Sequence, residues 1–233
     1  MKVEIWSDVM CPFCYIGKRR FESALQELPF RNEIEVEWKS FQLDPSLKHE
    51  PGKNINQYLA ERKGISVPKA KELNEQVTNM AAAEGLQYDF DKAVVANSFD
   101  AHRFSQLAKK YGKGDAAEES LFKAYFTEGK NISDLDTLVD LGKSIGLDGA
   151  EVKQTLEGDA YANEVKKDIA EAEAIGVRGV PFFVVDRKYA VSGAQAADTF
   201  KQVFERAYTE WKKEKNQFTT IQGEVCSTDG DCK

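Results

Sequence analysis

Two cysteines stand at the point in this chain where a strand pattern gives way to a helix pattern. Val3 and Ile5 alternate with polar neighbours over residues 2–7, and Cys11-Pro12-Phe13-Cys14 follows directly. Beyond it, Cys14, Gly17, Phe21, Leu25 and Leu28 recur at intervals of three and four over residues 13–28, the spacing of one helical face. A thiol at a helix N-terminus meets unsatisfied backbone N–H groups and the positive end of the helix dipole. Both favour the thiolate, which is the nucleophilic form. The second cysteine lies one turn on, on the same face, within reach of a disulfide. The placement predicts a dithiol that exchanges disulfides, with Cys11 exposed and attacking and Cys14 further in and resolving.

The rest of the chain supplies a frame for that dithiol. Pro29 stops the first helix, and Ile34, Val36 and Trp38 alternate with Glu33, Glu35 and Glu37 as a half-buried strand. The opening thus reads strand–helix–strand. From about residue 54 to 176 the pattern is helical almost throughout. Pro68 opens a helix running toward Gly85, Asn97 with Asp100 caps another, Asp115 begins a third, and Ser133 with Asp136 a fourth. No fixed internal period marks a repeat array. Strand character returns at Pro181-Phe182-Phe183-Val184-Val185, turns at Asp186-Arg187-Lys188, and resumes at Tyr189-Ala190-Val191. Ala194 to about Trp211 is a closing helix with Ala197, Phe200, Val203, Phe204 and Ala207 on its apolar side. This order fits an α/β chain, a thioredoxin fold interrupted by a large all-helical insertion. Residues 1–45 and 160–212 are read as the thioredoxin-like part, 46–159 as the insertion, and 213–233 as a polar tail carrying Cys226 and Cys232.

Composition excludes several classes. The chain has 233 residues, 42% of them hydrophobic and with 14 Phe and 8 Tyr, enough for a substantial core without disulfide staples. A formal net charge of −7 argues against nucleic acid or anionic lipid as the main partner. No apolar run approaches the ~20 residues of a membrane span. The first residues lack a signal-peptide pattern, so the expected compartment is the cytoplasm. There, four cysteines serve chemistry or metal binding rather than a bridging framework.

Three blocks in order make the reading more specific: Ser7-Asp8-Val9-Met10-Cys11-Pro12-Phe13-Cys14, then Asn97-Ser98-Phe99-Asp100-Ala101-His102-Arg103, then Gly176-Val177-Arg178-Gly179-Val180-Pro181-Phe182-Phe183 with Ser192-Gly193-Ala194-Gln195 after it. Over residues 2 to about 211 the chain resembles the DsbA-like thioredoxin-fold proteins, and within them the cytoplasmic FrnE-type subgroup. The resemblance implies thiol–disulfide exchange at Cys11 and Cys14. It also implies a cis peptide bond at Val180-Pro181 facing the dithiol, with Pro12, Phe13 and Val180 beside the substrate. No bound cofactor or metal is implied; the partners are thiol- or disulfide-containing proteins, or glutathione as redox partner. The same family contains glutathione-dependent isomerases and kappa-class glutathione transferases, which carry serine where Cys11 stands, so Cys11 favours the redox branch. A glutathione-dependent isomerase or transferase is the first alternative, and a thiol metal-binding or holdase module the second. The periplasmic DsbA enzymes have histidine between their cysteines, whereas this chain has Pro12-Phe13. A weaker oxidant is expected, between the about −120 mV of DsbA and about −270 mV of thioredoxin.

The remaining candidates are weighed against plainer roles. Cys226 and Cys232 flank a turn-forming Asp229-Gly230, and some FrnE-type members carry a comparable tail pair; the readings are a second redox relay or a passive exposed dithiol. Their five-residue spacing suits a zinc site poorly. His102 and Arg103 are read first as a satisfied histidine and a surface arginine, and second as cleft residues. Asp8 is either an orienting or proton-accepting group for the dithiol or a strand-end turn residue. His49 sits in a polar loop with no evident partner.

Overall fold

The computed structural model describes residues 1–48 and 53–215. Its sheet is built on β1 (Lys2–Ser7), which is buried along nearly its whole length. β1 pairs in parallel with β2 (Glu35–Ser40), with Val3 opposite Val36 and Ile5 opposite Trp38. A parallel pair needs a crossover, and α1 (Pro12–Gln26) provides it. On the other side β1 pairs antiparallel with β3 (Phe182–Val185), and β3 with β4 (Tyr189–Ser192), giving the order β2-β1-β3-β4. Asp186 and Arg187 both have positive φ, at 51° and 55°, and the Lys188 N–H returns to the Val185 carbonyl at 3.1 Å. That is the tight turn whose twist suits a hairpin. Arg187 sits in a strained conformation there, and its guanidinium reaches back to pair with Glu4 and Glu171.

Between β2 and β3 run seven helices among the described residues. They are α2 (Ile55–Lys63), α3 (Val67–Ala83), α4 (Phe99–Lys110), α5 (Gly114–Phe126), α6 (Leu135–Ser144), α7 (Gly149–Glu157) and α8 (Ala162–Ala174); α9 (Ala197–Lys215) follows β4.

α1 joins two cores. On one side Phe21 and Ala24, with Leu28 just past the helix end, enter the sheet core with Val3, Ile5, Phe183, Phe200 and Phe204. Phe21 stacks on Phe183 at 5.7 Å and meets Phe204 edge-on at 5.6 Å. On the other side Cys14, Tyr15 and Ile16 enter the helical core with Phe104, Leu121, Phe122 and Phe126. There Tyr15 stacks on Phe122 at 5.0 Å and Tyr88 on Phe126 at 4.6 Å. The far sheet face packs Trp6 and Val184 on Ala172 of α8, and the Trp6 indole donates to the Asp168 carbonyl at 2.9 Å.

Several helix starts differ from the sequence reading. Ser98, not Asn97, occupies the N-cap of α4; the Asn97 amide instead holds the preceding loop, donating to the Pro45 and Leu47 carbonyls and accepting from Phe99 N–H. Asp134, not Ser133, caps α6 by accepting from the Thr137 N–H at 2.9 Å. α9 starts at Ala197, after a turn at Gly193, whose φ is 77°. Glu33 and Ile34 precede β2; Glu33 belongs to a 3-10 turn. Arg103 is buried rather than superficial. It donates to the Thr155, Leu156, Gly158 and Ala160 carbonyls, closing the C-terminal end of α7, and pairs with Asp100.

A second charged cluster fastens α1 to α5. Lys18 is 2% exposed beneath Glu22, Asp115 and Glu119, while Arg19 and the Tyr15 hydroxyl both donate to Glu119. Burial works against the Glu119 charge, but the hydrogen bonds from Arg19 and Tyr15 outweigh it and bring its pKa down to about 2 from 4.5. A depressed folded pKa adds stability that is complete above the unfolded value and is lost as pH falls toward the folded one. Glu119→Gln is therefore expected to lower the urea midpoint at pH 7 and to flatten the loss of stability between pH 5 and pH 2.5. Parallel urea curves for parent and variant at both ends of that range check this.

Candidate active site

β1 ends at Ser7, and the next four residues turn the chain into α1. Asp8 organises the turn. Its carbonyl accepts the Cys11 N–H at 2.9 Å, and its carboxylate accepts from Met10 N–H at 3.2 Å and Leu43 N–H at 2.7 Å. Cys11 is the N-cap of α1 and Pro12 its first residue, where the fixed proline φ and missing N–H cost nothing. The Cys14 N–H closes the first turn on the Cys11 carbonyl at 3.0 Å, and the Tyr88 hydroxyl donates to the Pro12 carbonyl at 2.7 Å.

The two thiols are free and differ in surroundings. The Cys11 thiol donates to the Val180 carbonyl at 3.4 Å, and the Val180-Pro181 bond is cis. Cys14 lies deeper, 1% exposed. Burial raises its pKa well above the ordinary thiol value, and the adjacent Cys11 thiol adds to this; the Ser7 hydroxyl and Asp8 N–H oppose the rise without cancelling it. Cys11, Cys14, Val180 and Pro181 are thus brought together as the sequence reading expects.

Gly17 makes that approach possible. A Cβ there would stand 3.0 Å from Pro181 Cγ and 3.5 Å from the Phe183 ring. A side chain at this position would push Pro181 away from the dithiol.

One expectation is corrected. Cys11 is only 4% exposed, because Val180 and the helices after β2 close over it. Access is through a cavity of about 630 Å³. Its walls include Cys11, Pro12 and Phe13, Leu59 of α2, Val77 and Met80 of α3, and Phe126 of α5, with Gly179 and Val180 opposite. Apolar surface dominates, and Phe13, 41% exposed, stands at its edge with Leu43 and Met80.

His102 is buried and its Nε2 stands 3.6 Å from Asp8 Oδ1; it does not line the cavity. Asp8 is at once the strand-end turn residue and the holder of the cysteine backbone. His49, Cys226 and Cys232 lie outside the described residues. Among those described, no group of three or more His, Cys, Asp or Glu residues is arranged to hold a metal ion, and no helix is long and apolar enough to cross a membrane. The sequence reading did not find Tyr88, Tyr125 or the α2 and α3 wall. Their link to the dithiol arises only when α3 and α5 pack beside α1, and no local pattern announces it.

A DsbA-like thioredoxin fold with a dithiol at the start of α1 and a cis-proline facing it defines the class. The chain matches the DSBA-like thioredoxin domain over residues 2–205 and belongs to that family. It is 30% identical over 216 residues to protein YwbO of Bacillus subtilis (strain 168), covering 91% of this chain and 98% of that one. The crystal structure of a probable DsbA oxidoreductase, SCO1869 of Streptomyces coelicolor, is similar at 39% identity with a TM-score of 0.87, covering 100% of this chain and 98% of the other. The cytosolic disulfide reductase DsbM of Pseudomonas aeruginosa shares the fold at 16% identity and a TM-score of 0.64, over 90% of this chain and 100% of that one.

Gly17→Val is expected to cost about 1–3 kcal/mol through overpacking. Because the displaced group is Pro181, it should also change the rate at which iodoacetamide alkylates Cys11 in the folded protein. Phe200→Leu, a milder truncation in the sheet core, should leave that rate near the parent value.

Proposed function

We propose that this protein is a thiol–disulfide oxidoreductase of the FrnE-type subgroup, working through the Cys11-Pro12-Phe13-Cys14 dithiol. The observation that carries the reading is the unequal setting of the two thiols. Cys11 caps a helix N-terminus, borders the cavity and touches the Val180 carbonyl, while Cys14 is sealed behind it. An attacking sulfur must meet substrate, and a resolving sulfur must meet only its partner.

The chemistry follows in two exchanges. The Cys11 thiolate attacks one sulfur of a substrate disulfide; that S–S bond breaks, a Cys11–substrate disulfide forms, and the displaced thiolate takes a proton. Cys14 then loses its proton and attacks the Cys11 sulfur, releasing the second substrate thiol and leaving a Cys11–Cys14 disulfide. Two electrons pass from the dithiol to the substrate, and the reverse sequence oxidises a substrate dithiol. The high pKa of Cys14 keeps it protonated in the resting dithiol, so that Cys11 reacts first. The Val180 backbone is positioned to pair with an extended substrate segment. Glutathione or a partner reductase is the proposed source or sink of electrons, and the cytoplasm the proposed compartment.

Cys14→Ser is expected to trap Cys11 in a mixed disulfide with substrate or glutathione, visible as a mass increase reversed by dithiothreitol. Cys11→Ser is expected to abolish both the adduct and turnover. Full turnover by Cys11→Ser would move the reading to glutathione-dependent isomerase chemistry, in which the bound glutathione carries the reactive sulfur.

The cavity walls favour a substrate with an apolar or aromatic group next to its disulfide. Burying such a group is worth about 1.5–3 kcal/mol, a factor of about ten or more in rate. Filling the cavity with Leu59→Trp or Val77→Trp should slow reduction of an uncharged aromatic disulfide by about that factor. It should leave oxidised glutathione, which is polar and charged, within about twofold. Equal slowing of both would count against the apolar preference.

A further inference from the structure

Four buried side-chain atoms among the described residues lack a hydrogen-bond partner: Ser7 Oγ, His102 Nε2, Glu118 Oε2 and the Tyr125 hydroxyl. Buried polar atoms are ordinarily satisfied, so such atoms call for an explanation. Here they share one neighbourhood. His102 Nε2 stands 3.6 Å from Asp8 Oδ1, the Asp8 charge acts on Tyr125 and the His102 charge on Glu118, and Ser7 ends β1 next to Asp8. Tyr125 lines the cavity, whereas Ser7, His102 and Glu118 do not.

Asp8 is the hub. Its carbonyl accepts the Cys11 N–H, and its carboxylate holds the Met10 and Leu43 amides. A carboxylate 1% exposed needs a counter-charge. The cation that faces it is His102, itself 1% exposed, delivered from the first turn of α4. Burial opposes a charged imidazole there, but Asp8, Glu118 and the Phe41 carbonyl outweigh it and raise the His102 pKa above its ordinary 6.5. Of the other charged groups around α4, Arg103 and Asp168 are engaged elsewhere, while Glu118 keeps one carboxylate oxygen unpartnered, acts on His102, and has its own pKa raised by burial. Arg103 binds α7 carbonyls and Asp100, Asp168 accepts from Gln106 and Lys39, and Glu118 accepts from Ser105 at 2.6 Å.

We propose that His102 is a positioning residue for the dithiol: charged, it holds the Asp8 turn that carries both cysteines and favours the reduced, thiolate-bearing state over the disulfide. The inference rests on the disulfide-exchange reading and deepens it. The helical insertion would then tune the dithiol from behind as well as bounding its cavity. The sign follows from charge. Reduction adds a thiolate to the site and disulfide formation removes it, so an imidazolium nearby stabilises the reduced form. By linkage, the reduced form must in turn hold the His102 proton more tightly.

The chain has two histidines, which makes the test direct. The His102 ring signal, assigned with a His49→Gln variant, is titrated by NMR in the reduced and oxidised protein, with Cys226 and Cys232 replaced by serine. The expected result is a midpoint about half a pH unit higher in the reduced state. His102→Gln should correspondingly shift the glutathione equilibrium about threefold toward the Cys11–Cys14 disulfide at pH values where the parent imidazole is charged. That difference should vanish as pH rises through the His102 midpoint. An identical His102 midpoint in both redox states overturns the inference while leaving disulfide exchange intact. Failure of any Cys11–Cys14 disulfide to form removes the exchange reading itself. The NMR titration needs no substitution at His102, so a folding defect in His102→Gln leaves the test standing.

Discussion

Three hydrogen bonds at Asp8 fix the turn on which the dithiol sits. Its carbonyl holds Cys11 N–H, and its carboxylate holds Met10 and Leu43. The Leu43 contact, with the bond from Phe41 N–H to the Ser7 carbonyl, ties the segment after β2 to the turn before α1. The turn itself inherits its place from β1, one of the two inner strands, paired with β2 and β3 and buried along nearly its whole length.

The helical insertion completes what the sheet begins. α1 cannot bury all its apolar residues against β1 and β3; Tyr15 and Ile16 face away from that core and need a second one. The ring stack from Tyr15 through Phe122, with Tyr88 and Phe126 beside it, supplies that core and brings the Tyr88 hydroxyl onto Pro12. The same packing closes over Cys11. The dithiol thus borders an apolar cavity rather than a convex surface.

Much of this was legible in the residues. The switch from period two to period 3.6 at Cys11 located β1, α1 and the dithiol, a local pattern that local rules govern. That the Gly176 to Phe183 segment meets the dithiol came from the family resemblance those residues carry, not from their pattern. The burial of Cys11 was not legible, because Val180 and the helical core beside α1 create it, and both reach the site from distant parts of the chain. Arg103 looked superficial because arginine usually is, yet it satisfies four carbonyls near the end of α7. The Asp8–His102 pairing joins positions far apart in the chain, and neither residue's neighbours point to the other. Asn97 and Ser133 were misread as caps because Asn and Ser suit that role, and each stood one residue before the true N-cap.

The reduction potential of the Cys11–Cys14 couple tests the central claim most directly. It is read by equilibrating the protein, with Cys226 and Cys232 changed to serine, across a series of glutathione ratios and quantifying the disulfide by mass. A reversible two-electron transition between about −120 and about −270 mV is predicted. Absence of a Cys11–Cys14 disulfide at every ratio would contradict the account.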